Sequence, residues 1–215
     1  MKLTPIIIAG LLVSGSALAQ DSRWYATADV GIGSLSSETL TYSDGDSSTS
    51  ANAEFSASFA GGGSVGYRFG NGWALEGEIM YRRNDMDPVS LDGLGDFTEG
   101  DFASLSLGVN ALYHFGFDSM PKLDAYAGLG FVHIQEIDID FDTDGAQEIS
   151  FETDDTAFQV KLGGIYNFSE RWFLDGNLNY LAASSVTMEL PSDPGQTITS
   201  DYNHWTASLG IGFRF

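Results

Sequence analysis

Residues 24–33 read WYATADVGIG, and the pattern of this segment points to the architecture of the whole chain. Trp24 and Ala26 fall on one side of an alternating pattern, whereas Tyr25 and Asp29 fall on the other. Because successive side chains of a β-strand point to opposite faces of the sheet, strict alternation predicts a strand. One face of this strand is mainly apolar and the other is small or polar, so the two faces meet unlike surroundings.

The same alternation recurs along the chain. It returns in seven further segments, at residues 59–69, 73–81, 103–115, 125–131, 160–168, 172–180 and 205–215. Together with the first strand these make eight, and an even number of strands is typical of bacterial outer-membrane barrels.

The charges indicate which face of these strands is the inner one. Arg68, Glu76 and Lys161 lie on the glycine-rich face, opposite the face with Leu, Val, Ile and aromatic residues. A soluble barrel places its apolar residues inside, whereas charges inside and apolar residues outside require a lipid exterior. The sequence therefore predicts an all-β fold, an eight-stranded antiparallel up-and-down transmembrane β-barrel.

A repeated hairpin supports this architecture. Residues 67–77 match residues 166–176 without a gap, and in both copies aromatic residues flank a short turn. Aromatic rings are favoured at the membrane interface, which has an apolar and a wet side. The short turns follow Phe69, Phe115 and Phe168, and long acidic loops are predicted at residues 36–54, 84–101, 138–155 and 182–201. In such barrels short turns are periplasmic and long loops are extracellular, which places both termini in the periplasm.

The N-terminus has the layout of a secretory signal peptide. Lys2 precedes an apolar run at residues 6–13, and residues 17–19 read Ala-Leu-Ala. This run is far shorter than the roughly 20 residues of a membrane-spanning helix. We therefore expect residues 1–19 to be the signal peptide and residues 20–215 to form the barrel of an exported protein.

The charge balance excludes two classes of partner. The chain has nine Lys and Arg residues against 30 Asp and Glu residues, with a formal net charge of −21. This balance argues against nucleic acid, whose phosphates require a basic surface, and against a peripheral protein that docks electrostatically on anionic lipid. The chain has no cysteine, so its stability is not expected to come from disulfides.

The last strand carries a further pattern. Apolar residues occupy every second position back from the terminal residue, at Leu209, Ile211, Phe213 and Phe215. With Gly-Tyr-Arg-Phe at residues 66–69 and Ala-Tyr-Ala-Gly-Leu-Gly at residues 125–130, the chain resembles the small opacity-like, OmpA-type outer-membrane β-barrel domain family. The resemblance implies an outer-membrane location, an assembly signal at these four residues and recognition by the barrel-insertion machinery. Because the sequence stops at Phe215, we expect it to lack the peptidoglycan-binding domain that full-length OmpA-type proteins carry after the barrel.

Eight charged residues are predicted to face the lumen. The acidic ones are Asp29, Glu76, Glu78 and Asp175, and the basic ones are Arg68, Arg82, Lys161 and Arg214. An eight-stranded barrel is just wide enough to be filled by side chains, and buried charges are costly unless paired. These residues favour a salt-bridged plug, and the alternative is a narrow or gated pore in which the pairs exchange partners.

The third loop contains a partial calcium motif. Residues 140–145 read DFDTDG, the start of a calcium-binding loop, with candidate ligands at Asp140, Asp142 and Asp144. Phe151 stands where such a loop places its bidentate glutamate, so the full signature fails. The alternation of residues 137–141 equally predicts a strand that runs past the membrane.

An enzyme is not predicted. The three histidines are His114, His133 and His204, and a hydrolase needs a nucleophile and an orienting acid beside its base. Thr206 shares the face of His204, which fits an interior hydrogen bond.

These observations predict an integral outer-membrane surface protein that displays acidic loops for envelope integrity, adhesion or surface interaction. The alternative is a narrow, low-conductance pore. The expected surroundings are outer-membrane lipid and lipopolysaccharide, and no catalytic cofactor is implied. A closed barrel has no free edge that forces association, so we expect a monomer.

Overall fold

A computed structural model describes residues 23–56, 58–142 and 149–215, almost all of them in strands or tight turns. The predicted signal peptide lies outside the described residues. No helix in the described ranges is long and apolar enough to span a membrane. The strands are β1 (Trp24–Leu35), β2 (Glu38–Ser43), β3 (Ser48–Ala53), β4 (Ser58–Arg68), β5 (Trp73–Met86), β6 (Val89–Leu91), β7 (Gly95–Phe97), β8 (Glu99–Phe117), β9 (Met120–Asp142), β10 (Ile149–Asn167), β11 (Trp172–Leu190) and β12 (Asp193–Arg214).

Eight of these strands form a closed ring. The neighbours are β1, β4, β5, β8, β9, β10, β11 and β12, all antiparallel, and β1 pairs with β12 to close the ring. The closing register runs from Tyr25 opposite Arg214 to Leu35 opposite His204. Closure satisfies the backbone hydrogen bonds of every strand, as a lipid-embedded sheet requires. The predicted eight-stranded antiparallel barrel is confirmed.

The part of the ring next to the short turns has the predicted distribution of polar and apolar side chains. In β5 exposed and buried residues alternate without interruption from Trp73 to Met86. Glu76 and Glu78 are among the buried side chains, whereas Leu75 and Ile79 are about half exposed. Apolar residues outside and charged residues inside match a lipid exterior.

The four predicted long loops are mostly strands, so this prediction was wrong. Residues 36–54 contain the hairpin β2–β3, and residues 84–101 contain the end of β5, the hairpin β6–β7 and the start of β8. Residues 138–155 and 182–201 belong largely to β9, β10, β11 and β12. The strand β9 has 23 residues, whereas about 9–11 residues cross a bilayer. The ring therefore continues well beyond the membrane.

This extension, which we call the extramembrane barrel, has a packed apolar core. Phe141 packs against Phe97 with ring centroids 4.7 Å apart, and Phe151 contacts the rings of both Phe141 and Tyr42. Outside the membrane the surroundings are water, so burial of apolar side chains inside the ring is favourable. The core of the extramembrane barrel comprises Leu35, Leu40, Tyr42, Ala53, Met86, Val89, Leu91, Phe97, Phe102, Val132, Ile134, Ile137, Ile139, Phe141, Phe151, Ala157, Leu181, Ala183, Val186, Met188, Ile198 and Tyr202.

The first hairpin completes the wall of this extension. Strand β2 pairs with β12 at residues 197–199, and β3 pairs with β2. Beyond β3 the chain reaches β5, because Phe55 bridges Met86 and the Ser56 amide donates to the Asp85 carbonyl at 3.0 Å. The hairpin β2–β3 thus takes the place that β1 and β4 occupy in the membrane part.

Candidate functional site

The lumen contains a buried ion cluster. The Lys161 ammonium lies 2.7 Å from Glu76 Oε1 and 2.6 Å from Glu78 Oε2, and all three side chains are almost completely buried. The period of two puts Glu76 and Glu78 on the inner face of β5, and the curvature of the closed ring brings Lys161 of β10 to meet them. Charged hydrogen bonds of this length are strong, and they offset part of the cost of desolvating three charges.

Two other lumen carboxylates are held by hydroxyl groups. Tyr126 donates its hydroxyl proton to Asp175, with oxygen distances of 3.0 and 3.1 Å, and Thr27 donates to Asp29 at 2.6 Å. Tyr25 likewise donates to Glu76 at 2.8 Å. The two tyrosines were not predicted as lumen partners, although both lie on the inner face of the alternation. Aromatic residues in such barrels are expected at the membrane interface, which hid this second role.

Arg82 lies in the lumen nearer the extramembrane barrel and donates hydrogen bonds to hydroxyl groups. Its Nη1 donates to Ser106 at 2.8 Å and its Nε donates to Thr206 at 3.2 Å, and the residue is only 1% exposed. In the described part of the chain its Nη2 has no hydrogen-bond partner. His204 completes this group, since its ring contacts Asn84 Oδ1 at 2.9 Å and Thr206 at 3.1 Å.

The remaining predicted charges lie near the short turns. Arg68 meets Asp124 at 3.4 Å, and the Arg214 guanidinium lies over the Phe173 ring, 4.5 Å from its centroid. The eight predicted lumen charges therefore form separate groups, and among them Lys161 with Glu76 and Glu78 is the ion cluster that the structure brings together.

Apolar layers bracket this polar layer. Along the inner face of β5 the order is Ala74, then Glu76 and Glu78, then Met80, Arg82, Asn84 and Met86. Ala74 belongs to a small cluster near the short turns, and Met86 belongs to the core of the extramembrane barrel. The small cluster comprises Tyr25, Ala74, Leu112, Tyr126, Ile165 and Phe173. The ion cluster of Lys161, Glu76 and Glu78 therefore lies between two apolar clusters.

The candidate calcium ligands are placed differently from the predicted loop. Asp140 lies within β9, opposite Ser150 of β10 and Asp101 of β8, so it is part of a ladder. Asp142 ends β9, and Asp144 lies outside the described residues. The sequence alternative, a strand that continues past the membrane, holds for residues 137–141.

A different acidic group forms on the outer face of the extramembrane barrel. Carboxylate oxygens of Asp101, Asp138 and Asp140 lie within 4.8 Å of one another. Burial, and next the neighbouring Asp140 carboxylate, raise the pKa of Asp138 to about 7. Arg83 already contacts Asp101 at 3.1 Å. Asp101 was not among the predicted metal ligands, because only the register of β8 against β9 places it opposite Asp140.

The histidines are separated from one another. His204 and His114 are buried in the lumen, whereas His133 lies on the exposed face of β9. The His114 ring packs against Tyr126 with centroids 5.2 Å apart. His204 contacts a threonine hydroxyl and an amide rather than a carboxylate, and that hydroxyl is also bound by Arg82.

The predicted assembly residues lie on the closing strand β12 or, for Phe215, directly after it. Leu209 and Ile211 are exposed on the outer face of β12, and Phe213 packs against Trp172 with ring centroids 4.8 Å apart. The Phe215 amide donates to the Trp24 carbonyl at 3.1 Å, so the end of the chain meets its first strand.

Solved structures with the same fold include outer-membrane proteins. OprG from Pseudomonas aeruginosa aligns with a TM-score of 0.61 and 18% identity, covering 89% of this chain and 95% of that one. AlkL, solved in lipid bilayers, aligns with a TM-score of 0.55 and 19% identity over 90% of each chain. A major outer membrane protein from Thermus thermophilus aligns with a TM-score of 0.53 and 12% identity, covering 89% of this chain and 99% of that one. No curated protein sequence matches significantly.

The family assignment rests on nearly the whole chain. The family model described as outer membrane protein β-barrel domain matches residues 6–215. These residues include every strand of the closed ring, with its charged lumen and its apolar exterior. The chain therefore belongs to the outer membrane protein β-barrel domain family.

Proposed function

We propose that this protein is a non-enzymatic surface scaffold that holds a rigid extramembrane barrel above the outer membrane. The observation that carries the proposal is a change along the strands in which face is apolar. Near the short turns the apolar side chains face outward, and in the extramembrane barrel they face inward. In β9 the inward residues Ile137, Ile139 and Phe141 are completely buried, while Asp138 and Asp140 point outward. A water-facing, acidic wall around a packed core is suited to display and recognition rather than to burial in lipid.

The proposed orientation places the extramembrane barrel outside the cell. At the other end the connections are short, at residues 69–72, 118–119 and 168–171, and Trp24 and Phe215 lie there as well. In outer-membrane barrels the short turns face the periplasm and the longer connections face outward. Both termini would then be periplasmic.

The proposed scaffold role includes a lumen that does not conduct. Lys161, Glu76 and Glu78 fill the middle of an eight-stranded ring, and apolar layers lie above and below them. An ion would have to displace the buried cluster and then cross an apolar layer, and both steps are costly.

A narrow pore is the second candidate, and one observation favours it. Several buried polar atoms in the described lumen have no hydrogen-bond partner: Asp29 Oδ1, Arg82 Nη2, Gln159 Oε1 and Asn179 Oδ1. Buried polar groups usually bind water when no protein partner is available. A file of such waters is the feature that a pore would use.

The proposed partners follow from the location. Outer-membrane lipid and lipopolysaccharide would surround the apolar wall, and the insertion machinery would recognise the C-terminal strand. Since the ring is closed in the described residues, we expect the barrel to be a monomer.

The orientation is tested with single cysteines, because the chain has none of its own. Asp46 lies at the exposed tip of the β2–β3 hairpin, and Asp118 lies in an exposed short turn between β8 and β9. On intact cells, a membrane-impermeant maleimide should label Asp46→Cys but not Asp118→Cys, and both variants should react after lysis. Labelling of Asp118→Cys alone on intact cells would contradict the proposed orientation.

Conduction is tested in a planar bilayer. Folded, inserted wild-type protein should give no steady current if the lumen is a plug. Reproducible conductance steps that change size in Glu76→Gln would contradict the scaffold proposal and favour the pore.

A further inference from the structure

The lipid-facing wall contains an apolar groove near the short turns. Its volume is about 480 Å³, within the range of small-molecule sites. Strands β1, β4, β5 and β8 contribute its walls, and Gly77 lies within it. The lining includes Trp24, Val65, Tyr67, Leu75, Gly77 and Val109.

The groove exists because Gly77 has no side chain. Gly77 lies in register with Val65 on one side and Val109 on the other, and all three face outward. A Cβ atom at Gly77 would meet only the Val65 carbonyl oxygen, at an ordinary 3.9 Å. By contrast, a Cβ atom at the lumen-facing Gly66 would collide with the Tyr25 ring. Packing therefore requires glycine at Gly66 but not at Gly77, where its effect is an open groove.

The groove leads toward a cationic group at the membrane interface. The Tyr67 ring packs edge-on against Trp24 and against Phe69, with centroids 5.1 and 5.2 Å apart. Such rings mark the boundary between acyl chains and headgroups. The Arg23 guanidinium lies beside the adjoining turn, 4.0 Å from the Cβ position of Gly70. A cationic side chain thus lies beside the turn that follows Phe69, and Phe69 lines the groove.

We propose that this groove binds one acyl chain of a phospholipid, with the lipid phosphate held near Arg23. The wall faces lipid along its whole length here, so lipid is the ligand that reaches it in the membrane. A diacyl phospholipid matches both parts, since it has an apolar chain and an anionic phosphate. Assignment to the inner leaflet rests on the orientation proposed above.

The repeated hairpin supplies a matched control. Gly176 of β11 corresponds to Gly77 in the ungapped repeat, and a Cβ atom there would meet nothing within 4 Å. Gly77→Leu fills the groove, whereas Gly176→Leu adds the same side chain to the lipid-facing wall elsewhere. A Cβ atom fits at both positions and both face outward, so we expect both proteins to fold.

The experiment uses full-length mature chain refolded in lipid-free detergent and titrated with dioleoylphosphatidylglycerol. Native mass spectrometry counts the bound lipid, and circular dichroism verifies folding. Wild type should bind one lipid saturably. Gly77→Leu should weaken binding by about tenfold or more, because the acyl chain loses its apolar contacts. Arg23→Gln should weaken it less, and Gly176→Leu should bind as wild type does.

Three results would overturn the proposal. They are non-saturable lipid uptake by wild type, unchanged binding by folded Gly77→Leu, and equal loss of binding in both leucine variants. Binding to purified protein does not depend on orientation, so reversed cysteine labelling would change the leaflet assigned to the lipid and leave this result unaffected.

Discussion

Replacing Lys161 by methionine removes the ammonium group that lies between two buried carboxylates. The Glu76 and Glu78 oxygens, 2.7 and 2.6 Å from Lys161 Nζ, would lose their cationic partner in a site that is almost fully buried. Breaking a buried pair by removing one member costs about 3–5 kcal/mol, because an uncompensated charge remains. Two charged hydrogen bonds at about 1.5–3 kcal/mol each give a similar range. We expect Lys161→Met to lower the free energy of unfolding by about 4 kcal/mol at neutral pH.

The loss should be recovered in large part by neutralising the carboxylates. Tyr25 donates to Glu76 and Gln159 donates to Glu78, so glutamine at both positions keeps an acceptor oxygen for these two donors, although the longer bond from Asn110 to Glu76 is lost. The triple variant with Lys161→Met, Glu76→Gln and Glu78→Gln should therefore lie within about 2 kcal/mol of wild type.

Urea unfolding in phospholipid vesicles, followed by tryptophan fluorescence, measures these free energies. Lys122→Met is the control, because Lys122 is exposed next to a short turn, and it should change stability by less than about 0.5 kcal/mol. The reasoning would be refuted if Lys161→Met cost less than about 1 kcal/mol, or if the triple variant were as unstable as the single one.

Three further predictions concern the extramembrane barrel. Phe151→Ala should cost this part about 3–5 kcal/mol through loss of a fully buried ring, and limited proteolysis should then cut it while the membrane part stays protected. Because the folded pKa of Asp138 is raised from 3.8 to about 7, the folded state binds more protons between these two values; this stabilisation is fully present below the lower value and is lost as pH rises through the upper one. In Asp138→Asn the free energy of unfolding should therefore fall by about 1 kcal/mol less over this pH range than in wild type, a value discounted for solvent screening. Parallel curves of stability against pH for the two proteins would contradict this prediction. Calcium binding at Asp140 and its acidic neighbours stays a prediction. Calorimetry with millimolar calcium should give a binding heat that is reduced in Asp140→Asn, and the absence of calcium-dependent heat from wild type would contradict it.

The false prediction of long loops has a physical cause. Residues 36–54 and 138–155 are rich in acidic and polar residues, which favoured loops. Their alternation nevertheless continues, as in Ile137, Ile139 and Phe141. Above the membrane the apolar face must turn inward because water replaces lipid outside. Alternation alone states that two faces differ, and it does not state which face is inside.

The local pattern of strands could be predicted from the amino-acid order alone. Alternation from Trp24 to Gly33 and its recurrences specify strands, because side-chain direction in an uninterrupted strand follows position parity. The same parity placed Glu76, Glu78 and Lys161 on the lumen side of an eight-stranded barrel.

Which of these residues meet depends on the closed ring. Lys161 meets Glu76 and Glu78 rather than Asp175, and Asp101 joins Asp138 and Asp140 across β8 and β9. Such encounters depend on the register between neighbouring strands and on the stagger with which the ring closes, both set by the packing of the whole barrel. The lipid-facing groove at Gly77 likewise depends on the neighbouring strands, which place Val65 and Val109 on either side of it. A glycine leaves a groove only where the side chains beside it project further from the wall.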